Sequence, residues 1–135
     1  MTKKPTEHEE AVTFFKTMQI MGIDVWHMPQ ETFTKNWGTK MKNKAEGVRK
    51  GVSDYLIYIT AERSKYDKAL LLWVELKKQR TTKKNGELKA MSSDRINISP
   101  EQQEFIDKMN TVDSVQGTVC FGAQESIDFV SRFLK

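Results

Sequence analysis

Residues 70–77 of this chain, LLLWVELK, decide its fold. The apolar run that begins this stretch predicts a buried β-strand, and the strand ends on Glu75, Leu76 and Lys77. Because side chains alternate between the two faces of a strand, Glu75 and Lys77 emerge together on one face. Charged side chains are rarely buried without a partner or a metal. The end of this strand is therefore a candidate site for chemistry.

A second carboxylate, Asp54, follows the turn residues 51–53 and opens the strand-like run 54–60. Together with Glu75 it would complete a site for a hard cation such as Mg²⁺. Carboxylates that hold a divalent cation beside a lysine are the minimal equipment for metal-assisted phosphodiester hydrolysis. The alternative is plainer: Asp54 is a turn residue, and Glu75 and Lys77 form a surface ion pair worth about 0–1 kcal/mol.

The composition is that of an ordinary globular protein, with 135 residues, 38% hydrophobic and 30% charged. We expect one domain over residues 1–135. No apolar run approaches the roughly 20 residues of a membrane span. The N-terminus lacks the apolar segment of a secretory signal, and a single cysteine, Cys120, suits a reducing compartment, so we expect a cytoplasmic protein. Cys120 lies in a strand-like stretch and is predicted to be a core residue.

The positive charge is clustered, although the net charge is only +4. Residues 35–50 hold six cations against one acid, and residues 77–89 hold six against one. Such clusters beside carboxylates favour a polyanionic partner such as DNA, and the alternative is a solvated basic face. Residues 78–97 carry little apolar content and predict a mobile basic loop. The candidates for phosphate contacts are Lys42, Lys44, Arg49, Lys50, Lys78, Arg80, Lys83 and Lys84.

Helical periodicity and capping signals predict the remaining elements. Helices are expected at 7–21, 33–46, from 100 onward and at 124–134, and strands at 23–27, 54–60, 69–77 and 115–121. The polar link 61–68 predicts an antiparallel hairpin. This order indicates an α/β fold with a mixed central sheet flanked by helices. The first helix is expected to bury a stripe made of Ala11, Phe14, Phe15, Met18 and Met21.

This order of elements, with aspartate before one strand and Glu-x-Lys at the end of the next, resembles the PD-(D/E)xK nuclease superfamily. The likeness is closer to its VRR-NUC branch, which occurs in phage and bacterial replication and repair proteins. The resemblance implies a restriction-endonuclease-like core. Two departures stand out: Ser53 replaces the family's proline, and Gln30 replaces a frequent asparagine. The segments that carry the likeness are 6–10, 25–29, 44–54, 74–77, 99–105 and 119–123.

The resemblance implies a DNA endonuclease that depends on Mg²⁺ or Mn²⁺ and acts on branched or duplex DNA, with a homodimer as the functional unit. Asp54 and Glu75 would hold the metal, with the Leu76 carbonyl as a backbone ligand. Lys77 would orient or help deprotonate the attacking water, and Gln102 would sit beside the active site.

Several assignments stay open. Glu7 is either a further metal ligand or a first-turn charge that favours the helix dipole, and Glu10, one turn away, is the fallback ligand. Gln102 is also the last residue of a capping box that begins at Ser99. His27 is expected to be packed at a strand end. A DNA-binding module without chemistry and a protein-interaction factor of phage replication are the competing functions, and a metal-dependent cleavage assay separates both from an enzyme.

Overall fold

The computed structural model of this protein describes residues 3–28, 37–47, 49–80 and 98–135. The predicted helix at 33–46 is described from residue 37. The predicted phosphate contacts Lys83 and Lys84, the departure at Gln30 and most of the predicted basic loop lie outside these ranges. The elements are α1 (Glu7–Met21), β1 (Asp24–His27), α2 (Trp37–Ala45), β2 (Tyr55–Ile59), β3 (Leu70–Lys77), α3 (Pro100–Met109), β4 (Val115–Phe121) and α4 (Ala123–Ser131).

The four strands form one mixed sheet in the order β1-β2-β3-β4. The pairs β1/β2 and β2/β3 are antiparallel, and β3/β4 is parallel. The predicted hairpin between β2 and β3 is confirmed, and its register pairs Tyr55 with Val74. Continued by one residue, that register brings Asp54 level with Glu75. The hairpin therefore joins two acidic residues that lie 21 positions apart in the sequence.

Helices cover the two faces of the sheet. Phe14 of α1 and Val130 of α4 are buried in one core cluster with Leu72 and Val74 of β3. On the opposite face, Phe105 of α3 meets Trp73 edge-on, with ring centroids 5.0 Å apart. Alternate residues of β3 point to opposite faces of the sheet, so the face with Leu72 and Val74 is fully buried as the sequence predicts, whereas Leu71 and Trp73 on the other face are partly exposed. No helix of the described residues is long and apolar enough to cross a membrane.

Local capping signals set the helix boundaries that the sequence predicted. Thr6 and Glu9 form the reciprocal capping box of α1, and Gly22 ends the helix in the left-handed conformation with φ 70°. Ser99 and Gln102 form the capping box of α3. These contacts lie within a few residues of each other in the sequence, which is why the starts of both helices were predictable.

Two expectations, the burial of Phe15 and the end of the last helix, were wrong, and the one about His27 was right only in part. Phe15 was assigned to the buried stripe of α1 but is 39% exposed, because the stripe is narrow and runs along Glu10, Phe14 and Met18. His27 packs against Tyr55 at the end of β1 as expected, with ring centroids 5.1 Å apart, but it is exposed. The last helix ends at Ser131 and not at 134, since the apolar residues that follow it pack against the core without being helical.

Glu10 has a structural role that its position in the sequence did not reveal. Its carboxylate is 3% exposed and accepts hydrogen bonds from the backbone N–H of Ala123 and, at 2.8 Å, from the side-chain amide of Gln79. Ala123 is the first residue of α4, so Glu10 supplies the negative charge that a helix N-terminus favours. It thereby ties α1 to α4 and to the segment that follows β3.

Candidate active site

Asp54 is positioned by a glycine turn that abuts α3. Gly51 has φ 98°, and a Cβ at this position would lie 2.5 Å from the carbonyl oxygen of Glu101. Only glycine allows this approach of two backbones. The turn leads into Asp54, whose Oδ2 accepts a hydrogen bond of 2.8 Å from the backbone N–H of Leu76. The carboxylate of Asp54 is therefore fixed across the end of β3.

Glu75 lies in the interior at the same end of β3. Its side chain is 4% exposed, and its Oε1 accepts a hydrogen bond of 2.7 Å from the Gln102 amide and lies 3.6 Å from the Lys77 ammonium. The predicted same-face placement of Glu75 and Lys77 is confirmed as an ion pair. The other oxygen, Oε2, is buried and has no hydrogen-bond partner among the described residues. A buried carboxylate oxygen without a partner is costly unless a ligand completes it.

Burial raises the pKa of Glu75 to about 7, and the negative charge of Asp54 raises it in the same direction. The charge and hydrogen bond of Lys77 and a backbone hydrogen bond from Asp54 lower the pKa of Glu75 and only partly offset this rise. Two carboxylates that repel each other in a partly dehydrated site are better tolerated when a cation lies between them. We call the group formed by Asp54, Glu75 and Lys77 at the end of β3 the corner. The electrostatics of this corner favour a bound cation.

Glu7 belongs to the same corner and Glu10 does not. Burial raises the pKa of Glu7, while Lys77 lowers it and Asp54 raises it, so Glu7 lies within electrostatic range of both. The pKa of Tyr55 is raised by burial and by the charges of Asp54 and Glu7. Glu10 is committed to the N-terminus of α4, and between the two acids Glu7 is the one that faces the site.

Gln102 performs two tasks at once. Its Oε1 accepts from the backbone N–H of Ser99 at 3.0 Å, which completes the capping box, and its Nε2 donates to Glu75. Gln102 is therefore both the helix cap that the sequence predicted and a hydrogen-bond partner of Glu75. Because the cap fixes the orientation of the amide, it presents an N–H and not an oxygen to Glu75.

The residues at this corner fit a hard divalent cation. Mg²⁺ is commonly held by one or two carboxylates and keeps several waters or substrate oxygens as its remaining ligands. Across the described ranges no three His, Cys, Asp or Glu side chains form a ready-made metal cluster. The partnerless Oε2 of Glu75 beside the anchored carboxylate of Asp54 suits a cation that completes its shell with water and phosphate oxygens. The predicted contribution of the Leu76 carbonyl stays a prediction.

Ser53, which stands where the resembled family has proline, is fully buried. Its hydroxyl has no hydrogen-bond partner among the described residues. The position is thus a packed turn that makes no contact specific to serine, which agrees with a shape-forming role for this residue and not a ligand role.

The predicted phosphate contacts among the described residues are mostly exposed, and some of them lie close in sequence to the site residues. Lys50 precedes Asp54 by four residues, and Lys78 directly follows Lys77. Arg80 is half-buried. The exposed members of the described set are Lys42, Lys44, Arg49, Lys50 and Lys78.

A comparison with solved structures finds the same fold in a protein described as a "VRR_NUC domain protein". The match has a TM-score of 0.64 and 20% sequence identity, and it covers 97% of this chain and 89% of that one. No family model and no curated protein matches the chain. The fold that the sequence resemblance implied is therefore confirmed.

Replacing Glu75 by Gln should stabilise the metal-free protein at alkaline pH. The pKa of Glu75 is raised in the folded state from 4.5 to about 7, so its ionisation costs stability as the pH rises from about 4.5 through 7. Denaturant unfolding in EDTA should show Glu75→Gln more stable than wild type at pH 8, by on the order of 2–3 kcal/mol, and nearly equal at pH 4.5. The exposed Glu62→Gln is the control. A Glu75→Gln protein that is less stable than wild type at pH 8 would contradict this account of the site.

Two substitutions separate the tasks of Gln102. Ser99→Ala removes the hydroxyl that caps α3 but keeps the Ser99 backbone N–H that orients the Gln102 amide, so it should cost about 1 kcal/mol of unfolding free energy without moving the pKa of Glu75. Gln102→Glu keeps a Ser-x-x-Glu capping box but replaces the donated N–H by a carboxylate, so the pKa of Glu75 should rise further. Carbon-13 NMR titration of the Glu75 carboxyl group measures this pKa in both variants, and denaturant unfolding measures the loss of stability in Ser99→Ala. If both variants leave that pKa unchanged, Gln102 serves only the helix.

Proposed function

We propose that this protein is a DNA endonuclease that hydrolyses phosphodiester bonds with Mg²⁺ or Mn²⁺ held by Asp54 and Glu75. The observation that carries the proposal is the buried Glu75 carboxylate near Asp54 and Lys77, one oxygen of which has no hydrogen-bond partner in residues 3–28, 37–47, 49–80 and 98–135. The shared fold with a VRR_NUC domain protein supports it. By resemblance, the substrate is branched or junction DNA of phage or bacterial replication, recombination or repair.

Each residue has a definable task in this proposal. Asp54, whose carboxylate is held by the Leu76 N–H, would bind the cation together with Glu75, whose Oε2 has no hydrogen-bond partner among the described residues. Glu7, which lines the same cleft as Asp54, would bind a water of the cation. A bound divalent cation supplies Lewis acidity toward the scissile phosphate and makes a neighbouring water more acidic.

Lys77 is placed to act on the attacking water or on the phosphate. Its ammonium is 3.6 Å from Glu75 and has a side-chain exposure of 19%, so it lies at the edge of the site and not in bulk solvent. A cation there offsets the negative charge that develops on the phosphate during in-line attack. Gln102 positions Glu75 through the hydrogen bond that its helix cap orients.

The exposed residues Lys42, Lys44, Arg49, Lys50 and Lys78 would provide the electrostatic attraction for a DNA backbone. Contacts of this kind release counterions, so binding should weaken steeply with salt. The homodimer that the resemblance implies is part of the proposal and is open to analytical ultracentrifugation.

Substitutions at the three site residues test the proposal directly. Asp54→Ala and Glu75→Ala should abolish Mg²⁺- or Mn²⁺-dependent cleavage of a panel of labelled branched and linear DNAs, with binding retained or slightly stronger, because a carboxylate that repels phosphate is lost. Lys77→Ala should slow single-turnover cleavage by roughly 10²-fold or more with a smaller effect on metal affinity.

Lys68→Ala is the matched control for Lys77→Ala. Lys68 also pairs with an acid, Asp113, at 3.3 Å, but it precedes β3 and therefore lies at the opposite end of the strand from the site. Cleavage by Lys68→Ala should equal wild type. A wild-type protein that binds DNA tightly and never cuts it would favour the DNA-binding module, and turnover that survives Asp54→Ala would refute the assigned site.

A further inference from the structure

A cleft of about 660 Å³ leads away from the carboxylates along the side of α1. Glu7, Asp54 and Leu76 line it and also belong to the candidate active site. The size lies within the range of ligand-binding pockets. A group that enters this cleft is therefore a direct neighbour of whatever the carboxylates bind.

One wall of the cleft is an apolar patch on α1. Val12 and Phe15 line it and are 38% and 39% exposed, outside the hydrophobic core of the described residues. Residues three positions apart on a helix are neighbours on its surface, so the two side chains form one continuous patch. The phenyl ring of Phe15 was expected in the core, and it instead faces a cleft beside the site.

The other wall is aromatic and is held firmly. His27 lies against Tyr55, with ring centroids 5.1 Å apart and planes inclined by 37°. Tyr55 is itself packed edge-on against the core residue Phe14, at 5.2 Å. His27 is exposed and, like Tyr55, lines the cleft. The cleft is thus lined by an aliphatic and an aromatic side chain of α1 and by two aromatic side chains of the sheet.

We propose that this cleft binds one unpaired nucleobase, from the nucleotide next to the phosphate that the carboxylates engage. The inference rests on the proposed nuclease function and narrows its substrate class. A base is a flat, uncharged, apolar-faced group, and stacking of bases on aromatic side chains is the common means by which proteins hold single strands. The attached phosphate would lie at the part of the cleft that Asp54 and Glu7 line, where the proposed cation would bind.

The substrate preference follows from the cost of reaching the cleft. A base within a continuous duplex must leave its stack and its pair before it can enter, which costs a few kcal/mol, whereas an already unpaired base avoids most of that cost. Lys16 lines the cleft and is exposed. Its charge suits the next phosphate of a single strand. The site therefore prefers DNA with an unpaired nucleotide beside the scissile phosphate over fully paired junctions or duplex.

A thermodynamic cycle tests the inference without any need for cleavage. Two DNAs are compared, each with one unpaired nucleotide at a single-strand to double-strand boundary, with a base at that nucleotide in one and an abasic analogue in the other. Binding is measured in EDTA for wild type, Phe15→Ala, Phe15→Trp and Ile20→Ala. Ile20 is the matched control, since it is on the same helix, 86% exposed and outside the cleft lining.

Wild type should bind the DNA with the base about tenfold or more tightly than the abasic DNA, within the range that base–aromatic stacking supplies. Phe15→Ala should bind both equally, Phe15→Trp should restore the preference, and Ile20→Ala should retain it. Wild-type binding that ignores the base would overturn the inference, and so would a Phe15→Ala protein that keeps the preference.

Two further results separate this inference from its alternatives. If Phe15→Ala changes the sedimentation coefficient of the free protein, the patch is an interface with a second copy of the chain, and the inference is wrong. If base-dependent binding through Phe15 is found but no DNA is cut with Mg²⁺ or Mn²⁺, the cleft is a base-binding site and the proposed nuclease function is wrong.

Discussion

The burial of the Glu75 carboxylate beside Asp54 is the constraint on which the rest of this structure depends. The register of the β2–β3 hairpin brings the two acids to one corner, and the sheet covers Glu75 until 3% of it remains exposed. Such a carboxylate is tolerated only if its neighbours supply hydrogen bonds and positive charge. Lys77 and Gln102 do so for one oxygen, and within the part of the chain that the structure describes the second oxygen has no hydrogen-bond partner. This second oxygen is the reason for proposing a metal at this position.

Three short segments, far apart in the chain, must meet for this corner to form. The glycine turn before Asp54 packs against the backbone of Glu101. The end of β3 supplies the ion pair of Glu75 and Lys77, and the capped first turn of α3 supplies Gln102. The α3 crossover between two parallel strands is what returns the chain to the same edge of the sheet. Capping of α3 and orientation of Glu75 are therefore coupled, since the side-chain amide of Gln102 takes part in both.

The elements and part of the site were predictable because their signals are local. A capping box and a terminal glycine set α1, and strand alternation places Glu75 and Lys77 on one face. The contacts that were missed are not local. The Glu10 carboxylate accepts a hydrogen bond from the backbone N–H of Ala123, 113 residues away, and no sequence pattern near either residue predicts this bond. Periodicity gave the direction of the buried stripe on α1 but not its width, so Phe15 was assigned to the core. The partnerless oxygen of Glu75 depends on how α3 packs over β3, which the sequence of neither element specifies.

Diffraction from crystals soaked in Mn²⁺, recorded near the manganese absorption edge, tests the central claim most directly. The account predicts an anomalous peak between the carboxylates of Asp54 and Glu75, with the ion at a bonding distance of about 2.1 Å from Oε2 of Glu75. The same soak of Glu75→Gln crystals should lose that peak. Manganese found only at other positions, with this corner empty at a saturating concentration, would contradict the claim that the buried carboxylate is kept for a metal.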